Sequence, residues 1–328
     1  MDSRAVDWVH HFSLSENEAQ RKRLERVEAG RLAALVSPRG ELEATQLTAD
    51  FLMWLFAFDD AHCDEGTLGR RPNELSRVLI RLLRILEAPE APLPSQSSYH
   101  SFEAALLDVR LRMQRHATQT QMDRWTDAMR MYFLCQVWEA ANRVEEHTPD
   151  LNSYALLRIH NGAMRVSVAL LDVAEGYELP PEDLARADVR ALIEATCLLV
   201  GWDNDILSYQ KERTRGGGTQ NLLDVLAHVS AKSAAEMLPD AMFLRDQIMV
   251  LFAELSAKVC STASYELNCY VTSLGDWIRA NLEWGISCER YIAPGHPATL
   301  PRISATDPSP GSNTPADIPA IAWWWNQR

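Results

Sequence analysis

No two cysteines in this 328-residue chain are spaced C-x-x-C, and the six present (Cys63, Cys135, Cys197, Cys260, Cys269, Cys288) are scattered through helical-looking segments. Neither a zinc site nor a disulfide framework is indicated. Positive charge is in deficit: the formal net charge is −13 and no basic tract offsets it. That argues against a nucleic-acid partner, and it leaves any anionic ligand to local cations or metal. No apolar run approaches the roughly 20 residues a membrane span needs. The start, Met1-Asp2-Ser3-Arg4, lacks the basic-then-apolar pattern of a signal peptide. A cytoplasmic, soluble protein is expected. Internal repeats and convincing strand alternation are also missing.

What is present is helical periodicity over a chain that is 47% hydrophobic, enough for a large core. Residues 16–36 read as an amphipathic helix with Ser15 as its N-cap. Helices are expected over 42–61, 73–86, 99–115 and 121–144. The stretch 151–177 is helical on both sides of Asn161-Gly162, where the glycine suggests a break. Pro180-Pro181-Glu182-Asp183 starts a helix that reaches about residue 211, since proline and acids suit a first turn. Gly216-Gly217-Gly218 makes a flexible loop, and helices 231–258 and 263–291 follow. No linker interrupts the first 290 residues, so one all-α domain is expected. From 292 the composition is that of a linker, with Pro294, Pro297, Pro301, Pro308, Pro310, Pro315 and Pro319 among small polar residues. A flexible tail over 292–328 is expected, dispensable for folding when cut after Pro294. Its end, Trp323-Trp324-Trp325, leaves two readings open, docking or dangling.

Two acidic clusters stand out. Asp59-Asp60-Ala61-His62-Cys63-Asp64 follows the apolar run from Phe51 to Phe58, and Asn204-Asp205-Ile206-Leu207-Ser208 through Glu212 follows Cys197 to Trp202. Carboxylates beside core-like segments are costly unless a cation or partner compensates them. On a helix Asp60 and Asp64 share a face, and Asn204, Ser208 and Glu212 line one stripe at i, i+4, i+8. Mg²⁺ takes oxygen ligands of this kind and completes its shell with water and substrate phosphate. A lone D-D-x-x-x-D is common on solvated helix ends; N-D-x-x-S-x-x-x-E is rarer, and the two together favour metal chemistry. His62 and Cys63 do not suit Mg²⁺ and read as spacers.

On these residues the chain resembles the bacterial class I terpene synthases. Asp59, Asp60 and Asp64 match the aspartate-rich motif, and Asn204, Ser208 and Glu212 match the metal triad with Lys211 at the basic position before the glutamate. Arg158 lies 46 residues before Asn204, where the family places its diphosphate-sensing arginine. Asn161 and Gly162 fit the linker and effector positions, with Asn161 where many members have Asp. Asn281-Leu282-Glu283-Trp284 and Arg290-Tyr291 match the C-terminal tryptophan and Arg-Tyr pair. The resemblance covers roughly 5–291 and implies a catalytic domain over 1–291, folded as a single helical bundle around a central apolar cavity.

It also implies a Mg²⁺-dependent terpene cyclase, with three ions, that ionises an isoprenyl diphosphate and releases diphosphate. Arg158, Lys211, Arg290 and Tyr291 would bind the diphosphate, with Arg158, Asn161 and Gly162 triggering ionisation. Trp54, Phe58, Trp202 and Trp284 are candidate cavity walls, though each has an ordinary core reading. Farnesyl diphosphate is the first substrate choice and geranylgeranyl diphosphate the rival. A chain-elongating prenyltransferase would show a second aspartate-rich motif in place of Asn-Ser-Glu, and a non-catalytic helical scaffold would not need the full ligand set. A homodimer is one assembly the motifs allow; they do not specify it.

Overall fold

Helix follows helix along the chain, and no strand occurs among the described residues. The computed structural model describes residues 1–15, 17–64, 66–93, 97–214, 220–230, 232–291 and 308–328. The helices are α1 (Asp2–His11), α2 (Glu18–Glu25), α3 (Ala29–Val36), α4 (Leu42–Phe58), α5 (Pro72–Glu87), α6 (His100–Met113), α7 (Gln119–Glu145) and α8 (Leu151–Asn161). They continue as α9 (Met164–Val168), α10 (Leu171–Ala174), α11 (Pro181–Ala185), α12 (Ala187–Thr214), α13 (Leu222–Val229), α14 (Leu238–Cys260) and α15 (Tyr265–Ser287). Among the described residues, no helix is long and apolar enough to cross a membrane.

Two compact units result. The first takes Met1–Glu145, Val166–Glu178 and Cys288–Arg290. Its centre is α4, whose residues Phe51 to Leu55 are all buried, so the helix is apolar on every side. It packs against α1, α3, α6 and α10, while α5 packs on α6 and α7. Helix α5 shows why such segments are legible: Pro72 opens it, and Leu75, Val78, Leu79, Leu82 and Leu86 fall on one buried side.

The second unit takes Glu146–Arg165, Leu179–Ser287, Tyr291 and, of the described tail, 308–328. Here α12 is central and packs against α8, α13, α14 and α15. Asp150 starts α8 by accepting a hydrogen bond from the Ser153 N–H at 2.7 Å.

Several expectations change. The stretch 16–36 is two helices, because Glu28 sits in the left-handed region at φ 54° and turns the chain. The N-cap is Asn17, not Ser15; its Oδ1 accepts from the Gln20 N–H. Helices α1 and α13 are additions. The break after α8 is real, but Gly162 has an ordinary φ of −76° and it is Ala163, at φ 59°, that takes the left-handed turn. The glycine run 216–218 lies outside the described residues, as do 292–307.

The end of the expected flexible tail is ordered. Ser309 donates its N–H and hydroxyl to Asp246, and the Gln247 amide donates to the Thr314 carbonyl at 3.0 Å. Ile318, Ile321 and Trp324 are fully buried. The Trp324 indole N–H donates to Glu194 on α12 at 2.9 Å, and the Ala320 N–H donates to the Asn152 side chain on α8 at 2.7 Å. Apolar burial and these partners, which sit far away in sequence, offset the cost of ordering a proline-rich segment.

Candidate active site

The first acidic cluster continues directly from α4, but with a change of winding. Residues Asp59–Asp64 form a π-helical turn with i→i+5 hydrogen bonds, a form found mostly as single turns at functional sites. The α-helical argument that Asp60 and Asp64 share a face therefore does not apply. Asp59 is half-buried, and the side chain of Asp64 lies outside the described part. Asp60 is buried and takes a two-pronged ion pair from Arg290, at 2.9 and 3.0 Å. That guanidinium also lies 4.4 Å from the Phe56 ring centroid.

Two features from elsewhere in this unit hold the π turn. Arg143 on α7, braced by Glu139, donates to the Cys63 carbonyl at 2.7 Å. Gly69 lies so close that a Cβ there would stand 1.7 Å from that same carbonyl oxygen. His62 packs edge-on against Phe58, Tyr99 and Phe102. Burial pushes its pKa down to about 4, so it is neutral and acts as an apolar wedge. Gly69→Ala is expected to displace the turn and to cost about 1–3 kcal/mol, the usual range for overpacking. Urea denaturation measures this; wild-type stability would show that the close approach is not binding on the fold.

The second cluster is α-helical throughout, so its stripe forms as spaced. Ser208 is buried and donates its hydroxyl to Glu212 Oε1 at 2.5 Å, one turn on. Asn204 donates its amide to the Tyr291 hydroxyl at 2.5 Å and accepts from Arg158 Nη2 at 3.1 Å. The same Nη2 meets the Gly201 carbonyl at 3.1 Å and Asp205 Oδ1 at 2.8 Å, and Nη1 donates to Asn161 Oδ1 at 3.3 Å. Gly201 permits this: a Cβ there would stand 3.0 Å from Arg158 Cγ. Lys211 is buried with its ammonium 5.8 Å from the Tyr291 ring centroid, and Trp284 meets that ring edge-on at 5.5 Å.

The family described as terpene synthase family 2, C-terminal metal binding, matches residues 50–242. The (+)-(1(10)E,4E,6S,7R)-germacradien-6-ol synthase of Streptomyces pratensis is 36% identical over 99% of this chain and 91% of its own length. The (+)-T-muurolol synthase of Streptomyces clavuligerus is 36% identical over 99% of this chain and 78% of its own. The crystal structure of the SVS_A2 protein from ancestral sequence reconstruction superposes with a TM-score of 0.84 at 32% identity, covering 99% of this chain and 93% of that one.

The chain belongs to the terpene synthase family. It is an enzyme of the class I type, with the all-α fold that its motifs implied. Within this terpene synthase the four candidate wall residues, Trp54, Phe58, Trp202 and Trp284, are all buried. Trp54 stacks on Phe58 at 5.0 Å and donates its indole N–H to the Phe102 carbonyl, so this pair is bound into the core of its unit.

Three residues of the second cluster's surroundings were not singled out from the sequence. Asp205, the neighbour of Asn204, is fully buried and takes the Arg158 ion pair, the Tyr154 hydroxyl at 2.5 Å and the Leu222 N–H at 3.2 Å. Burial pushes its carboxyl up to about 7, with Arg158 pulling the other way. Tyr154 shares the pocket, and burial raises its phenol well above the usual value. Asn221 donates to both Glu212 and the Asp205 carbonyl. A sequence signal existed for Asn221, an N-cap residue type directly before Leu222-Leu223.

The donor set suits a hard divalent cation. Asn204, Ser208 and Glu212 offer an amide, a hydroxyl and a carboxylate oxygen on successive turns, with hydrogen bonds already linking the last two. Among the described residues no group of three or more His, Cys, Asp or Glu assembles, so a soft-metal site is not what this cluster offers.

Proposed function

We propose that this terpene synthase is a Mg²⁺-dependent cyclase that ionises farnesyl diphosphate, releases diphosphate and closes the resulting carbocation to a cyclic terpene. The observation that carries this reading is the position of Arg158 against the Asn204–Ser208–Glu212 stripe, a half-buried cation held beside three oxygen ligands on successive turns of α12. Asn204, Ser208 and Glu212, with Asp59, Asp60 and Asp64, are the residues proposed to hold the ions, three by family resemblance. Bound there, Mg²⁺ supplies Lewis acidity and neutralises the diphosphate charge.

The chain's own residues do the rest. Arg158 and Lys211 add positive charge, Tyr291 offers a hydroxyl beside Asn204, and Arg290 brings a two-pronged guanidinium suited to phosphate as well as carboxylate. Asn161 touches Arg158 and so links it to the broken helix at Gly162, whose carbonyl is proposed to direct the developing charge. Of the four candidate wall residues, Trp202 and Trp284 are proposed to face the carbocation, where ring quadrupoles favour positive charge, while the Trp54–Phe58 pair is taken up by core packing in its own unit. The catalytic assignment spans 1–291. Support for the farnesyl chain comes from the Streptomyces clavuligerus relative, whose name states that it cyclises (2E,6E)-farnesyl diphosphate.

The test is incubation of the full chain with geranyl, farnesyl and geranylgeranyl diphosphates, with Mg²⁺ or with EDTA, read by gas chromatography and mass detection. The expected result is a cyclic sesquiterpene from the farnesyl substrate only when metal is present. Product from geranylgeranyl diphosphate alone would replace the substrate assignment, and no product from any of the three would overturn the activity.

A further inference from the structure

Asn221 is 1% exposed and uses both polar atoms of its side chain. Its Oδ1 accepts from the Leu223 N–H at 3.0 Å and so caps α13. Its Nδ2 donates to the Asp205 carbonyl at 2.9 Å and to Glu212 Oε2 at 3.0 Å. The next residue, Leu222, donates its N–H to Asp205 Oδ2. The first turn of α13 therefore grips α12 at two points, one beside Asn204 and one at Glu212.

Only a primary amide meets these demands in that volume. An aspartate would cap the helix but has no donor, and it would set a second negative charge against Glu212. A serine would cap it but is too short to span both partners. With Ser208 on Oε1 and Asn221 on Oε2, both oxygens of Glu212 are held, and a long side chain that would otherwise explore rotamers is fixed in one. We infer that Asn221 is a positioning residue: it aims Glu212 for metal binding and couples that aim to the Asp205–Arg158 pair. The inference rests on Glu212 being a metal ligand, as proposed above.

Partners that orient a metal ligand are typically worth 10–100-fold in metal affinity. Mn²⁺ binding with inorganic diphosphate, followed by electron paramagnetic resonance without turnover, is the direct readout. Asn221→Asp, which keeps the cap and the size, is expected to weaken Mn²⁺ by about 10–100-fold. It should raise the Mg²⁺ concentration for half-maximal turnover in step, while KM for substrate at saturating Mg²⁺ stays near wild type. In a Glu212→Ala background the same change should have no further effect on Mn²⁺. Asn221→Ser, neutral and still capping, serves if the aspartate variant does not fold, and is expected to shift Mn²⁺ in the same direction.

Wild-type Mn²⁺ affinity in a folded Asn221 variant overturns the inference, as does an undiminished effect when Glu212 is absent. Failure of the wild-type protein itself to bind Mn²⁺ with diphosphate would instead overturn the metal assignment.

Discussion

Glu212→Ala is expected to lower turnover by about a thousandfold while leaving the far-ultraviolet circular dichroism spectrum unchanged. Lewis-acid and charge stabilisation by a bound metal contributes several kcal/mol, and each 1.36 kcal/mol is a factor of ten in rate. The fold should tolerate the loss. Glu212 is only half-buried, and its removal leaves Asn221 with the Asp205 carbonyl and Ser208 with the Asp205 carbonyl at 3.5 Å. With those two hydrogen-bond partners retained, the stability cost should be about 1 kcal/mol. Steady-state kinetics on the purified variant, with EDTA-treated wild type as the reference floor, decides it; turnover within tenfold of wild type would remove Glu212 from the ligand set.

Trp324→Ala should have the largest effect on stability. The indole is fully buried and its N–H is bonded to Glu194, so truncation leaves a cavity and an unpaired acceptor. Losses of about 3–5 kcal/mol are usual for a buried Trp→Ala. At roughly 1.5 °C per kcal/mol for a chain of 328 residues, the thermal midpoint should fall by roughly 4–7 °C. Deletion of 308–328 should cost at least as much, since Ile318 and Ile321 go with it. Differential scanning calorimetry is the measurement, and an unchanged midpoint in both variants would show that the segment does not hold its place in solution. Of the two readings the composition left open for Trp323-Trp324-Trp325, this prediction follows docking, and it sets a stability cost beside the expectation that a cut after Pro294 leaves the domain folded.

What was legible was what is local. Helices α5, α6 and α7 fall within a residue or two of their expected ends, because leucine periodicity and prolines act over a few residues. The spacing of Asn204, Ser208 and Glu212 at i, i+4, i+8 survives folding because α12 is regular there. The unread features are set from a distance. Composition describes the tail's own poor capacity to bury surface, but Glu194, Asn152 and Asp246 supply its partners. The π turn at Asp59–Asp64 is clamped by Gly69 and by Arg143, and nothing in D-D-A-H-C-D announces a change of winding. Helix α13 was lost in an expected loop, and Asn221 with it.

The ion pair between Asp60 and Arg290 has a consequence for how the protein is made. The two residues are 230 positions apart in the chain. At the usual 5–20 residues per second, the Asp60 carboxylate leaves the ribosome on the order of ten seconds or more before its cation exists. During that interval the buried carboxylate of Asp60 lacks the Arg290 guanidinium, and closing the first unit without it costs about 3–5 kcal/mol, the usual range for breaking a buried ion pair. Nascent chains arrested before residue 290 should accordingly remain protease-sensitive at α4, however complete the first seven helices are, and should become resistant once Arg290 has emerged.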